Sequence, residues 1–408
     1  MFVNIVNFVL TKITNYLPYR QAGTKLEEDY MRKNYLLTPG PTPLPPEVCQ
    51  AQARPIIHHR TPQFQAVLKE VTEGLKYVFQ TKDDVFIFTS SGTGAMEAAV
   101  VNLLSPDDTA LVVQGGKFGE RWTEICKAYG INTEIMDVEW GKAVLPEEIE
   151  KKLRLNPKIK AVFTTLCETS TGVASDIAAI GQIIKNTQAV LVVDAISGLG
   201  AIPLLTDAWS VDMVVSGSQK GLMLPPGLAF ISASSKAWGK INTSTCPKYY
   251  FDLKEAKKAL EKTDTPFTPA ISLVVALNES LKMIRQDGLE NIFKRHSKMA
   301  DATRAAMKAL GLELFAPTAA SDVVTAVKVP QGLDGEKLVK IMRDTYGVTI
   351  AGGQAELKGK VFRIAHMGYI EEFDIIVGIS CLEKVLQQMG YKFNLGAGLK
   401  AAQEVFLK

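Results

Sequence analysis

Seven short runs of β-branched and other apolar residues recur between residues 84 and 234, most of them separated by longer segments with helical periodicity. The predicted strands are residues 84–90, 109–115, 131–138, 159–166, 189–196, 211–218 and 228–234. Helical segments between them include residues 94–104 and 176–186. Strands buried on both faces have continuous apolar runs of this kind, so the alternation predicts an α/β fold with a mostly parallel sheet between helices.

The length of the chain and a change of pattern predict two domains. A chain of 408 residues exceeds the size at which a single hydrophobic core stops growing. Residues 271–310 have a helical pattern, and shorter mixed elements follow them. We therefore expect a large domain over residues 33–287 and a smaller C-terminal α+β domain over residues 288–408.

The first residues form a separate segment, which we predict to be an N-terminal arm over residues 1–32. Its apolar run contains Asn4 and Asn7, lacks a basic leading region and a small-residue cleavage site, and is too short to span a bilayer. Its apolar residues have nearly helical spacing, which favours an amphipathic arm that packs on its own protein or on a partner subunit. A helix lying on a membrane surface is the alternative interpretation.

Charge and cysteine content exclude several classes of protein. The 46 basic and 43 acidic residues leave a net charge of +3 and form no basic block, so we expect no nucleic-acid partner. The five cysteines are odd in number, widely separated and never in CxxC spacing: Cys49, Cys126, Cys167, Cys246 and Cys381. This pattern favours free thiols in a reducing compartment over disulfides or a zinc site, and we expect a cytoplasmic protein without a metal site.

A predicted strand runs into the turn "SSGTG" and then into a predicted helix, which indicates an anion site at Ser91, Gly92 and Thr93. Glycines let the backbone approach a ligand, and free amides at a helix start attract an anion. A dinucleotide fingerprint fits poorly, because its third glycine is replaced by Glu97. A simple serine-capped helix start is the remaining alternative.

Two charged residues follow neighbouring predicted strands. Asp194 comes after four apolar strand residues, and Lys220 stands in "VVSGSQKGLMLPPG" without a nearby carboxylate. Taken alone, Asp194 could cap a turn and Lys220 could be an exposed turn residue. An anion cradle, an acid and an isolated lysine at one sheet edge suit pyridoxal 5'-phosphate (PLP), whose phosphate, ring nitrogen and aldehyde they would hold.

An ordered set of motifs covers roughly residues 33–385 and strengthens this interpretation. The motifs are "YLLTPGPTPLPPEV" at 35–48, "HHRTPQF" at 58–64, "SSGTGAMEAA" at 90–99, "GGKFGERW" at 115–122, "CETSTGV" at 167–173, "VVDAISGLGAIPL" at 192–204, "SGSQKGLMLPPG" at 216–227 and "FRIAHMG" at 362–368. With them the chain resembles the class V aminotransferases of PLP fold type I, and within these the alanine–glyoxylate and serine–pyruvate group.

The resemblance implies a role for each matching residue. Lys220 would form the Schiff base and shuttle the proton, and Asp194 would pair with the pyridinium nitrogen. The implied cofactor-binding residues are Ser91, Gly92, Thr93, Phe118, Thr169, Asp194, Gln219, Lys220 and Thr268. Gly40 and Arg363 would bind the substrate, Arg363 through its α-carboxylate, which suits a planar two-pronged donor.

The resemblance also implies the activity and the partners. We expect ping-pong transamination from a small amino acid, alanine or serine, to a small 2-keto acid, glyoxylate or pyruvate. We also expect a homodimer with shared active sites, in which Thr268 reaches the phosphate of the neighbouring subunit. Thr265 stands where the family usually has a tyrosine, so that contact is an open question.

Three other functions were weighed. A class V cysteine desulfurase typically has histidines where this chain has Gln219 and Phe118. A non-catalytic subunit of a larger redox complex would not need Lys220, Asp194 and Arg363. A dinucleotide-binding oxidoreductase is disfavoured by the incomplete glycine fingerprint.

Overall fold

The structure is a computed structural model that describes residues 33–408, so the predicted N-terminal arm lies outside the described residues. The α-helices of this part of the chain are α1 (Pro46–Gln52), α2 (Pro62–Phe79), α3 (Gly92–Leu103), α4 (Lys117–Ala128), α5 (Pro146–Leu155), α6 (Ile177–Ile184), α7 (Ser235–Ile241), α8 (Leu253–Leu260), α9 (Ile271–Asp287), α10 (Leu289–Ala309), α11 (Gly335–Tyr346), α12 (Glu372–Gln388) and α13 (Ala397–Phe406). The strands are β1 (Tyr35–Leu36), β2 (Val85–Ser90), β3 (Thr109–Gln114), β4 (Asn132–Asp137), β5 (Ile159–Thr165), β6 (Cys167–Glu168), β7 (Val173–Ala174), β8 (Val190–Asp194), β9 (Met213–Gly217), β10 (Gly227–Ala233), β11 (Val324–Lys328), β12 (Val348–Thr349), β13 (Ala351–Gly352) and β14 (Val361–Ala365).

The central sheet has seven strands in the order β2-β10-β9-β8-β5-β3-β4, and each corresponds to one of the seven predicted strands. Its pairings are parallel except those of β10, which runs antiparallel to both β2 and β9. The chain passes from β9 to β10 through a short turn without a crossover helix, and such a connection gives an antiparallel pair. The prediction of a mostly parallel sheet is confirmed.

Successive residues of the central strands point into two separate cores. In β8, Val190 and Val192 belong to one hydrophobic cluster, and Leu191 and Val193 belong to another. This alternation is what a strand buried on both faces requires. Helices therefore cover both faces of the sheet, as the apolar runs predicted.

The C-terminal part of the chain has its own core and a small antiparallel sheet in the order β11-β14-β13. Leu37 belongs to this core, and β1 pairs in parallel with β12. The predicted helical region is two helices, α9 and α10, which meet at Gly288 with φ of 78°. Residues Asn34–Lys408 form one compact unit, and the domain boundary near 287 stays a prediction.

No helix within residues 33–408 is long and apolar enough to cross a membrane.

Candidate active site

The residues predicted to form the site lie where the parallel strands of the central sheet end. Asp194 is the last residue of β8, and Lys220 follows the adjacent parallel strand β9. Ser91 follows β2, which runs in the same direction as β9 because both are antiparallel to β10. The carboxyl edge of an open α/β sheet is the usual ligand position, and the structure brings these three residues to that edge.

Asp194 is 3% exposed, and its Oδ1 accepts a hydrogen bond from the Ile196 N–H at 2.8 Å. Burial, with a smaller contribution from the charge of Glu168, raises the pKa of Asp194 to about 7, although the hydrogen bond from the Ile196 N–H opposes this shift. No lysine or arginine of the described residues lies within ion-pair distance of this carboxyl group. A buried acid in this state gains from a cationic N–H partner, which a protonated pyridine nitrogen provides.

Lys220 is 9% exposed, and its Nζ donates a hydrogen bond to the carbonyl of Pro39. Burial lowers the pKa of Lys220 to about 8, although the charge of Asp194 opposes this shift. The amine therefore loses its proton around pH 8, well below the usual range of lysine, which favours a nucleophilic or proton-shuttling role.

The turn at Gly40 lies directly against the Lys220 side chain. Gly40 has φ of 117°, and a Cβ atom at this position would overlap the Cδ, Cε and Nζ atoms of Lys220. Thr42 holds the turn in place, because its N–H donates to the Gln219 carbonyl at 3.2 Å and its Oγ1 to the Lys220 carbonyl at 3.0 Å. Only glycine combines this backbone conformation with this approach.

The anion cradle is formed by the start of α3. Ser91 is the N-cap residue, but its side chain makes no capping hydrogen bond. The first amides of a helix have no intrahelical partners, so those of Gly92 and Thr93 point out of the helix start. A simple serine cap therefore does not explain this turn, and its hydroxyl and amides are available for an anion.

Gln219 adds an unsatisfied polar atom at this cradle. Its Oε1 is buried and has no hydrogen-bond partner among the described residues. A Cβ atom built on Gly217 would meet both this oxygen and the Gly92 nitrogen, so the Gln219 amide group lies close to the helix start. A buried polar atom without a partner is costly and suggests that a ligand supplies one.

Ser216 and Ser218 have backbone partners that shape the turn carrying Lys220. Ser216 donates to the Ala195 carbonyl at 3.4 Å. Ser218 donates to the Pro225 carbonyl at 2.6 Å and accepts from the Leu228 N–H at 3.2 Å.

Arg363 is a buried cation without a carboxylate partner among residues 33–408. It is 4% exposed, its Nε and Nη2 donate to the Gly352 carbonyl at 2.9 and 2.7 Å, and its Nη1 donates to the Thr169 carbonyl at 2.8 Å. A guanidinium has five N–H groups, so one remains on each terminal nitrogen. That pair matches the two oxygens of a carboxylate. Burial lowers the pKa of Arg363 to about 10.

Glu168, which the sequence analysis did not single out, connects the segments that carry Phe118 and Thr169. The Phe118 N–H donates to Glu168 Oε2 at 3.0 Å, and Thr169 follows Glu168 directly. Arg121 was also missed: its Nη1 donates to Thr93 Oγ1 at 3.3 Å, and its guanidinium lies 5.0 Å from the Phe118 ring centre. The only sequence signal for Glu168 was an acid two residues after the predicted strand 159–166, a weaker signal than that of Asp194, which directly follows four apolar residues.

Thr268 lies in the loop between α8 and α9. It is exposed and lines a small cavity together with Thr89, Tyr250 and Thr265. Thr265 Oγ1 donates to the Phe267 carbonyl at 2.8 Å, so its hydroxyl proton is used within its own loop. A role for Thr268 in a neighbouring subunit's site stays a prediction.

These groups fit PLP in its chemistry. The free amides at the start of α3 suit a phosphate, the buried acceptor Gln219 Oε1 suits a ligand atom that donates a hydrogen bond, Asp194 suits a protonated ring nitrogen, and Lys220 suits an aldehyde. Together with the central sheet, they define a PLP-dependent enzyme of fold type I. The family Aminotransferase class-V matches residues 34–367, so the chain belongs to the class V aminotransferases. It is a PLP-dependent aminotransferase, as the motifs predicted.

Curated relatives match almost the whole chain. The "Soluble hydrogenase 42 kDa subunit" of Anabaena cylindrica is 47% identical, covering 92% of this chain and 99% of the relative. The "L-aspartate--glyoxylate aminotransferase" of Paracoccus denitrificans is 38% identical, covering 91% and 96%. The "Serine--glyoxylate aminotransferase" of Methylorubrum extorquens is 37% identical, covering 91% and 95%.

Solved structures agree with the fold. The ureidoglycine–glyoxylate aminotransferase of Bacillus subtilis has a TM-score of 0.89 at 30% identity and covers 95% of this chain and 100% of its own. The alanine–glyoxylate aminotransferase of a Nostoc species has a TM-score of 0.84 at 31% identity, with coverage of 89% and 98%.

Proposed function

We propose that this aminotransferase moves the amino group of alanine or serine to glyoxylate or pyruvate by a ping-pong mechanism. The observation that carries the proposal is Arg363, a buried guanidinium with two free N–H groups and no carboxylate partner within residues 33–408. An amino acid and a 2-keto acid both carry the α-carboxylate that such a group binds. The relatives named for serine, alanine and glyoxylate support these substrates.

Lys220 is the proton-moving residue of the proposed mechanism. When bound, PLP would supply an aldehyde carbon that takes the amino group from the first substrate and gives it to the second, and a ring that withdraws electrons from the substrate Cα. The Lys220 amine, neutral near pH 8, takes the Cα proton of the amino acid. In the second half-reaction the same amine returns a proton to the keto-acid carbon, which completes the exchange.

The remaining residues hold the reactants. Asp194 is ionised when a cationic N–H faces it, and it keeps that proton on the ring nitrogen. Ser91, Gly92, Thr93 and Gln219 bind the phosphate, and Phe118 packs on the ring face. The Thr169 hydroxyl is assigned to the phenolic oxygen of the ring.

The cysteine desulfurase alternative requires a reactive thiolate near Lys220. Cys167 is close enough for its charge to interact with Lys220, but burial raises the pKa of its thiol to about 12. Release of sulfide from cysteine at the rate of amino transfer would favour the desulfurase.

The non-catalytic alternative rests on the name of the Anabaena relative, a hydrogenase subunit. Such a subunit has no need for a buried lysine, acid and arginine at one sheet edge. Purified protein that binds no PLP would favour this alternative.

We also propose a cytoplasmic homodimer, in which the exposed Thr268 completes the site of its partner. Sedimentation equilibrium of the full chain tests the dimer, and a monomer mass at working concentration would contradict it.

Replacement of Lys220 tests the mechanism. We expect Lys220→Ala to bind PLP without the absorbance band of the lysine-linked cofactor and to lose transamination. Lys236→Ala is the control. Lys236 forms an ion pair with Asp212, with 3.5 Å between Nζ and Oδ2, and it is not one of the site residues. Unchanged turnover in Lys220→Ala would disprove the mechanism, and intersecting rather than parallel double-reciprocal plots would disprove the ping-pong order.

Half-reactions identify the substrates. Each proteinogenic amino acid is mixed with the wild-type enzyme, and the loss of the cofactor band is followed. Each 2-keto acid is then tested for recovery of the band. Aspartate as the fastest donor would overturn the assignment of alanine or serine, in line with the Paracoccus relative.

A further inference from the structure

Helix α4 begins without a capping side chain of its own. Its N-cap residue is Gly116, which has no side chain to accept the first free amides. The residues that follow include Phe118, so the start of this helix fixes the position of that ring. Its amides need acceptors from elsewhere in the fold.

The segment after β5 supplies those acceptors. Glu168 Oε2 accepts from the N–H groups of Phe118 and Gly119, both at 3.0 Å. Ser170 Oγ accepts from the Lys117 N–H at 3.1 Å. The first three amides of α4 are therefore bound by two side chains that lie about fifty residues further along the chain.

The second oxygen of Glu168 holds its own segment. Oε1 accepts from the Ser170 N–H at 3.2 Å and from the Ser170 hydroxyl. Glu168 is only 5% exposed, and a Cβ atom on Gly116 would overlap its Cγ and Cδ. Both oxygens of a buried carboxylate are thus fully used, and a glycine leaves the space for it.

Thr169 extends this set of contacts to the substrate arginine. Its carbonyl accepts from Arg363 Nη1 at 2.8 Å, and its peptide is fixed between Glu168 and Ser170. A shift of Glu168 would therefore move the Phe118 ring on one side and the Thr169–Arg363 contact on the other.

We propose that Glu168 is a positioning residue that sets the Phe118 ring, Thr169 and Arg363 at fixed distances around the cofactor ring. The inference rests on the proposed roles of these three residues. A carboxylate suits the position because all its partners are donors, and because negative charge is stabilised at a helix start. Glutamine would place an NH2 group against an N–H group and leave a buried amide without an acceptor.

Glu168→Gln tests the inference, with two readouts on the full chain. The first is amide hydrogen exchange of the segment around residues 116–120 in cofactor-free protein. The second is the dissociation constant of PLP, measured by titration of the cofactor-free protein. We expect faster exchange in this segment and a PLP dissociation constant about tenfold higher, because a Phe118 ring and a Thr169 that are no longer held in place must be ordered when PLP binds.

Two further variants serve as a control for general loss of stability and as a milder change within the same set of contacts. Asp176→Asn is the control, because Asp176 caps α6 through the Ala179 N–H at 2.9 Å and is exposed. It should leave both readouts unchanged. Ser170→Ala removes one contact of the same set and should give smaller changes in the same direction, even where Glu168→Gln does not fold.

The outcomes separate this inference from the proposed function. Unchanged exchange around Phe118 in both variants would overturn it, and so would faster exchange with wild-type PLP affinity. A wild-type enzyme that binds PLP but transfers no amino group would instead refute the proposed function and leave the positioning role intact.

Discussion

Replacing Arg363 by lysine tests how the substrate carboxylate is held. The guanidinium uses three N–H groups on the carbonyls of Gly352 and Thr169, which leaves one N–H on each terminal nitrogen. Lysine keeps the positive charge but cannot bind both carbonyls and also offer two parallel N–H groups to a carboxylate.

The size of the effect follows from this count. Arg363→Lys loses one charge-assisted hydrogen bond to the substrate and the rigid orientation of the other. Such a bond contributes about 2–3 kcal/mol, which corresponds to a loss of about 30- to 160-fold in kcat/KM. Both half-reactions should be affected, because the amino acid and the keto acid carry the same carboxylate.

The assay compares kcat/KM of each half-reaction, followed through the cofactor absorbance. Arg304→Lys is the matched control, since Arg304 is largely buried but pairs with Asp301 and Asp322, both at 2.8 Å. We expect it to retain wild-type kinetics. A folded Arg363→Lys enzyme whose kcat/KM lies within threefold of wild type for both half-reactions would refute this account of the site.

Two other predictions concern the turn over Lys220 and the acid sensitivity of the fold. Gly40→Ala should lower kcat/KM by about tenfold or more, because a non-glycine residue in the left-handed backbone region costs about 1–2 kcal/mol and the added methyl group would displace the Lys220 side chain. Gly239→Ala is the control, because a Cβ atom at Gly239 meets nothing within 4 Å. Equal effects of the two substitutions on kcat/KM would contradict the close contact between Gly40 and Lys220. Burial lowers the pKa of His366 to about 3 and that of His296 to about 4 in the folded protein, both below the value near 6.5 in the unfolded chain. The neutral histidines therefore stabilise the folded protein fully above pH 6.5, and this contribution to the free energy of unfolding is lost as the pH falls towards the folded-state pKa values. The stability difference between wild type and His366→Asn should therefore shrink by about 2 kcal/mol from pH 6.5 to pH 5 in urea unfolding, and a constant difference would argue against a buried neutral His366.

Pattern reasoning located the residues that directly follow apolar strands. Asp194 lies near the end of one predicted strand, Lys220 and the turn at Ser91 each follow another, and the carboxyl edge of the sheet brings them together. The sequence predicts a mostly parallel, mixed sheet, but it does not identify β10 as the antiparallel strand, because apolar runs have the same pattern in either strand direction.

Residues outside those strand ends needed other information. Arg363 lies within a strand of the small sheet, and no local sequence pattern distinguishes it from a structural arginine in a strand. Only the match to the family motif identified it as a site residue. Glu168 stands two residues after its predicted strand, so its sequence signal is weaker than that of Asp194. Its partners lie near residue 118, and no local pattern reports a contact across that distance.

The pairing of β1 with β12 has a consequence for how the enzyme is made. The Leu37 N–H binds the Thr349 carbonyl and the Leu37 carbonyl accepts from the Ala365 N–H, while Gly40, three residues on, lies against Lys220. During synthesis the segment around Leu37 therefore gains these backbone partners only after residues 349–365 have left the ribosome, whereas the partners of Thr42 near Lys220 are made much earlier. The segment that covers Lys220 is therefore held on one side by a contact available once residue 220 is made, and on the other side only by the last-made part of the protein.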